Sequence, residues 1–297
     1  MRYRSLGDTR VSAVGLGTMP LSIEGRPDEA RALATVHAAL DAGVTLLDTA
    51  DSYHLPGDEP GHNELLVARA LAAYGGDPDD VLVATKGGRG RPADGSWTVT
   101  GSPRRLKAAA EASLKRLGVE AIGLYQLHKP DPEVPFEESA GALRELLDEG
   151  KIRLAGISNT GTDQIRRARA ILGDRLVSVQ NRYSPAVRDS EAELRLCAEL
   201  GVAFMPWSPL GGISRSSLDG PSRPAATDRF AAFHTVARER GVSPQQICLA
   251  WLLAKSAAVI PIPGASRPES IRDSARAADL VLTGEELNLL EAAARTP

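Results

Sequence analysis

Cysteine is nearly absent from this chain: Cys197 and Cys248 are the only two in 297 residues. There is no CxxC pair and no Cys/His ligand spacing, which excludes a zinc ribbon or disulfide framework as the organising device and fits a reducing compartment. Charge of one sign is also missing. With 35 Lys+Arg against 38 Asp+Glu the net charge is -3, so there is no electrostatic footprint for nucleic acid. Local pairs such as Arg104-Arg105 and Arg166-Arg167 read as solvated helix faces. Long apolar runs are lacking too. The longest uncharged stretches, such as residues 11–23, are short and broken by Gly and Pro, which predicts no membrane span. The opening MRYRSLGDTR has no apolar segment of signal-peptide type. The expectation is a soluble, cytoplasmic protein.

What is present is an ordinary globular composition, 42% hydrophobic and 25% charged, which excludes disorder as the main theme. The length allows one large domain or two medium ones. Short apolar runs bounded by turn signals alternate with longer amphipathic stretches along the whole chain. A hairpin is expected at residues 3–6 and 11–14. Strands are expected at 13–17, 44–48, 81–85, 122–128, 152–158, 176–180, 202–206 and 259–262. Helices are expected at 28–42, 62–74, 103–117, 136–149, 162–171, 190–200, 228–240, 244–255 and 268–277. Gly43, Gly118, Gly150, Gly201 and Gly241 fall where helices end, and Pro103 and Pro268 where they begin.

Strands apolar on both faces, each followed by a helix, pair in parallel. Eight such units in about 250–300 residues give a (β/α)₈ TIM barrel, here with an N-terminal β-hairpin. The rival is an open doubly wound sheet, which wants Gly-x-Gly-x-x-Gly after its first strand; GLGTMP (residues 15–20) does not supply it. No linker divides the chain, so residues 1–297 are expected to form one domain.

Chemistry in such a barrel gathers at the C-terminal strand ends. The apolar runs stop at Asp48, Lys86, His128, Ser158-Asn159, Gln180 and Trp207. The first three end consecutive strands, about 5 Å apart laterally, and Tyr53 follows Asp48 in the next loop. Taken singly, each has a plain structural reading: Asp48 as a turn residue, Lys86 as a solvated rim, His128 as a hydrogen-bonded core histidine. Together they suggest a phenol whose proton is loosened by an ammonium, the ammonium kept charged by a carboxylate, and an imidazole to hold a carbonyl oxygen in line. That is the proton half of carbonyl reduction; the hydride requires a cofactor. Ser158, Asn159 and Gln180 suit a carboxamide, and Trp207 offers a flat ring to stack on. The loop Ser208-Pro209-Leu210-Gly211-Gly212 suits a pyrophosphate. The turn 261–267 opens a helix whose N-terminus, with Arg267, suits a nucleotide phosphate.

The segments GLGTM, LLDTADSY, VLVATKGG, LYQLHKPD, GISN, VQNRYS, WSPLGG and PIPGASRPES occur in order over nearly the whole chain, and the sequence resembles the aldo-keto reductases. The resemblance implies a (β/α)₈ barrel that uses NADPH in most members, with NADH possible. It implies a tetrad of Asp48, Tyr53, Lys86 and His128, with Tyr53 as general acid. Cofactor contacts are implied at Gly17, Thr18, Met19, Asp48, Ser158, Asn159, Gln180, Trp207, Ser208, Pro209, Leu210 and Gly212. They continue at Gly264, Ser266, Arg267, Ser270 and Ser274.

The chain departs from the family pattern where His54 follows the tyrosine in place of a common glycine. It departs again at Gly264, where long-tailed members carry a lysine for the 2′-phosphate. Little chain follows the last helix, at 284–294, so the pocket is expected to lack the family's long C-terminal substrate loop. Its walls are expected to be Met19, His54 and Trp97 with the loops 87–102 and 211–227; Trp97 has an equal reading as a buried loop anchor. The leading function is reduction of a small-molecule aldehyde or ketone, without metal. The alternatives are a Schiff-base aldolase acting through Lys86, and a nucleotide-binding regulatory subunit of the potassium-channel-β type that the family also contains. The physiological substrate and the oligomeric state are not legible.

Overall fold

Alternating inward and outward residues on short strands explain the architecture. The computed structural model describes residues 1–77, 80–214 and 230–295. β1 (Tyr3–Leu6) and β2 (Thr9–Ser12) form an antiparallel hairpin. There follow β3 (Leu16–Gly17), α1 (Glu29–Asp41), β4 (Leu46–Asp48), α2 (His62–Ala72) and β5 (Leu82–Gly87). A two-rung hairpin of β6 (Arg89–Gly90) and β7 (Thr98–Val99) precedes α3 (Pro103–Leu117). Then come β8 (Ile122–Leu127), α4 (Phe136–Asp148), β9 (Ile152–Ser158), α5 (Thr162–Leu172), β10 (Leu176–Gln180), α6 (Glu191–Leu200) and β11 (Ala203–Phe204). The chain finishes with α7 (Ala231–Arg240), α8 (Pro244–Lys255), α9 (Pro268–Arg276) and α10 (Gly284–Arg295). Of the expected helix 228–240 and the expected loop 211–227, residues 228–229 and 215–227 lie outside the described residues.

Among the described residues, seven parallel strands run β11-β10-β9-β8-β5-β4-β3. The segment 259–264 closes the ring, bridging Phe204 to Val259 and Gly17 to Gly264. Ile260 and Ile262 donate to the carbonyls of Phe204 and Pro206, while Gly15 and Gly17 donate to those of Pro261 and Pro263, both at 3.0 Å. The two prolines have no N–H to return towards β3. The seam on that side is sparse, which is why the eighth strand is reduced to bridges. The architecture is the (β/α)₈ barrel.

Side-chain period two sorts the strands into an inner and an outer core. Leu46, Ala84, Leu124, Val177, Ala203 and Ile260 fill the barrel with Leu6 and Val11, so the hairpin plugs its floor. Leu47, Tyr125, Leu127, Ile157 and Phe204 face the helices instead. One strand breaks the period. In β10 the register slips between Leu176 and Ser178: Val177 packs inside the barrel, and Ser178 also turns inward to donate to Gln126 Oε1 at 3.2 Å. The bulge restores Val179 to the outer core and brings Gln180 to the inner face at the mouth. The five glycines expected at helix ends, at 43, 118, 150, 201 and 241, all take positive φ. No helix of the described residues is long and apolar enough to cross a membrane.

Candidate active site

Since Leu46 points inward, so does Asp48, two residues on; Lys86 follows from Ala84 and Gln126 from Leu124 by the same rule. These side chains meet. Lys86 is fully buried and spends its three donors on Asp48 Oδ2 at 2.6 Å, the Thr49 carbonyl at 2.8 Å and Tyr53 Oη at 3.2 Å. The other carboxylate oxygen, Oδ1, accepts from Gln180 Nε2 at 2.8 Å and Gln126 Nε2 at 3.4 Å. Gly156 makes room for this layer, because a Cβ there would sit 2.1 Å from Ser178 Oγ. The backbone of Asp48 is held as well. Thr18 donates from its N–H and its hydroxyl to the Asp48 carbonyl, and Asn63 of α2 donates to the Thr18 carbonyl at 2.9 Å.

Burial pushes the Lys86 ammonium down, but Asp48 and Tyr53 outweigh it and its pKa lies above the ordinary lysine value. Burial also raises Tyr53, opposed by the charge of Lys86. His128 stands on the far side of the phenol, with ring centroids 5.7 Å apart and edge to face. Its Nδ1 lies 3.4 Å from Ser52 Oγ. Burial, then the charges of Lys86 and Arg89, hold it well below the usual histidine range, so it is neutral at pH 7 and offers one N–H.

Above this group opens a cavity of about 380 Å³. Asp48, Tyr53 and His128 line one side; Gln180, Ser158, Asn159 and Trp207 line another. Asn159 adopts a left-handed backbone, φ 59°: Nδ2 donates to the His128 carbonyl at 2.9 Å and to Ser158 Oγ at 3.0 Å, and Oδ1 accepts from Trp207 Nε1 at 3.2 Å with a second lone pair left over. It therefore locks the tryptophan ring against the cavity. Met19, Trp97, Ser208, Pro209, Leu210, Gly264 and Ser266 complete most of the remaining wall, with Gly17 beneath.

Some expected residues stand elsewhere. Lys86 lies under the cavity, not in its wall, and Thr18 is buried beside Asp48. Gly212 abuts Phe230, and Ser274 is buried on α9. Arg267 is the exposed N-cap of α9, with Ser270 in its first turn; the guanidinium has no partner among the described residues. His54 does not reach the cavity: its ring is buried and Nδ1 pairs with the Leu55 carbonyl at 2.8 Å. Arg89 and Ser214 line the cavity from the two loops expected to shape it, although neither residue is singled out by the sequence, and Pro20 and Ile262 line it as well.

A family model described as the aldo/keto reductase family matches residues 13–295. The chain belongs to the aldo/keto reductase family. An uncharacterized oxidoreductase of Schizosaccharomyces pombe is 32% identical over 284 residues, covering 94% of this chain and 86% of that protein. The glycerol dehydrogenase of Gluconobacter oxydans superposes with a TM-score of 0.84 at 29% identity, covering 98% of this chain and 94% of its own. An aldo/keto reductase of Klebsiella pneumoniae, solved with NADP and acetate, does so with 0.79 at 28% identity over 99% and 96% of the two chains. This aldo/keto reductase is accordingly an NAD(P)H-dependent oxidoreductase with a nicotinamide cofactor.

The residues present fit that cofactor. Gln180 Nε2 is committed to Asp48, while its Oε1 at the cavity wall has no partner among the described residues and can accept from a carboxamide N–H. α9 begins with no side-chain cap; Pro268 has no N–H and Ser270 and Ile271 donate to the Arg267 carbonyl, so the Glu269 N–H and the Arg267 guanidinium are left for an anion.

Proposed function

We propose that this aldo/keto reductase converts a small aldehyde or ketone to the alcohol, using NADPH in preference to NADH. The observation that carries the reading is the chain Asp48–Lys86–Tyr53, in which a buried ammonium donates to the phenol oxygen at 3.2 Å. Bound nicotinamide supplies the hydride. Tyr53 Oη supplies the proton to the carbonyl oxygen as it becomes an alkoxide, and Lys86 stabilises the phenolate left behind. Asp48 keeps Lys86 charged in a dry site. Neutral His128 donates to the same carbonyl oxygen and aligns it, and the phenol is re-protonated from solvent.

Asn159, Gln180 and Ser158 orient the carboxamide, and Trp207 covers one ring face. The 208–210 loop holds the pyrophosphate, and Ser266, Arg267 and Ser270 the nucleotide phosphate; Arg267 favours the 2′-phosphate of NADPH. A Schiff base on Lys86 is disfavoured, because that step needs a neutral amine and Asp48 keeps this one protonated.

Tyr53→Phe keeps the ring and removes the acid. Initial rates of NADPH oxidation over a panel of aldehydes are expected to fall by about 10²–10⁴-fold, with NADPH still quenching protein fluorescence. Wild-type rates in the variant would sink the mechanism.

A further inference from the structure

Among the described residues Arg89 is the one cation that lines the cavity, and the reaction above does not use it. It leaves the mouth of the barrel on β6, three residues after Lys86, and folds back over Trp97 with its Cζ 4.8 Å from the ring centroid. Arg91 also stacks on the Trp97 ring, with its Cζ 4.8 Å from the centroid. The two arginines then differ. Arg91 is neutralised by Glu24 and donates to the His54 carbonyl at 2.7 Å. Arg89 has no acidic and no hydrogen-bonding side-chain partner among the described residues, although the Nε of each arginine is buried and unsatisfied. Unpaired, partly buried guanidinium is costly, and here the cost falls inside the cavity that holds Tyr53 and His128. Lys86, the other cation nearby, is already matched by Asp48. Among the described residues, the substrate side of the cavity therefore carries one uncompensated positive charge.

We propose that Arg89 is a specificity determinant that selects carbonyl substrates bearing a carboxylate, gripping it while Tyr53 and His128 hold the carbonyl. One planar fork matches the two oxygens of a carboxylate; a phosphate dianion would call for a second cation, and Arg91 is taken. The residues suited to the nucleotide phosphates follow β11 and the 259–264 segment, across the ring from β5. The anion met by Arg89 is thus the substrate's, not the cofactor's.

This inference rests on the carbonyl-reduction reading for its kinetic test, and a binding test separates the two. In the kinetic arm, kcat/KM with NADPH is compared for 4-oxobutanoate and butanal. The wild type is expected to favour the acid by about tenfold or more. Arg89→Leu is expected to collapse that ratio and Arg89→Lys to retain part of it, with KM for NADPH unmoved in both. In the binding arm, butanoate and butanamide are titrated calorimetrically into the enzyme saturated with NADP. Butanoate is expected to bind the wild type at least about tenfold more tightly than the amide, and the difference to vanish in Arg89→Leu. A carboxylate held only by Tyr53 and His128 would survive the substitution, and that result overturns the proposal. So does a wild type indifferent to the carboxylate in either arm. If no aldehyde is reduced at all, the carbonyl-reduction reading fails, and the role of Arg89 is decided by the titration alone.

Discussion

Each polar group in this mouth is tuned by what lies behind it, and Asp51 shows how far that extends. It sits next to the loop that carries Tyr53, buried, with Oδ1 unpartnered. Burial, with the charge of Glu64 added, pushes its carboxyl from 3.8 up to about 8. Glu64 itself is tied to Arg116 and accepts from Thr85 at 2.6 Å. A carboxyl whose folded pKa is raised binds more protons folded than unfolded, so its contribution to stability falls as pH rises from about 4 to about 8. Asp51→Asn removes that dependence. Thermal unfolding of the variant should match the wild type most closely at pH 5 and exceed it by at least about 2 °C at pH 8. A constant offset between the two pH values would refute the assignment. Asp51 drew no attention in the sequence because its neighbours Glu64 and Arg116 arrive from α2 and α3, far along the chain.

At the scale of elements, period two made most of the mouth readable. Leu46, Leu47 and Asp48 alternate in, out, in, and the same count from Ala84 and Leu124 delivers Lys86 and Gln126 to one layer. The helix limits fall within a few residues of their Pro and Gly signals. Two things were not readable. The slip in β10 leaves no trace in LVSVQ, since every residue is compatible with either face; only pairing with β9 fixes it. Arg89 follows two glycines after Lys86, where the apolar pattern has stopped, and its direction depends on β6 pairing with Thr98 and Val99. His54 was misplaced for a related reason: its loop turns the ring onto Leu55, a contact that residue type does not foretell.

The seam between β3 and the 259–264 segment offers an element-scale prediction. A Cβ on Gly17 would meet the Ile262 carbonyl at 2.9 Å, with backbone rather than a flexible tip in the way. Gly17→Ala should cost about 1–3 kcal/mol, seen as a drop in Tm and weaker cofactor binding. Gly284→Ala, where nothing lies within 4 Å, should leave both unchanged.

The whole molecule is a ring of helices around a ring of strands, and its last helix fastens the outer ring. Glu291 on α10 accepts from Arg188 at 2.9 Å, ahead of α6, and from Lys255 at the end of α8. Both cations also lie over the Trp251 ring. Burial pulls the Glu291 carboxyl up, but Lys255 and Arg188 prevail and hold it at about 2. The stability this gives is present above about 4.5 and is lost as pH falls from there towards 2. In Glu291→Gln, Tm at pH 7 should be lower than in the wild type, and its decline between pH 4.5 and 2.5 shallower. Parallel curves would show that the cluster contributes nothing.

The bulge in β10 has a consequence for how such a barrel can change. Val177 answers only to packing in the floor, while Ser178 and Gln180 above it answer to the reacting group; the extra residue uncouples the two. Substitutions in the floor can then accumulate without turning Gln180 away from Asp48, and even loss of Val177 would leave Ser178, Val179 and Gln180 opposite Gly156, Ile157 and Ser158, removing only a side chain of the floor. A deletion there tests the packing of the floor while the reacting layer keeps its register.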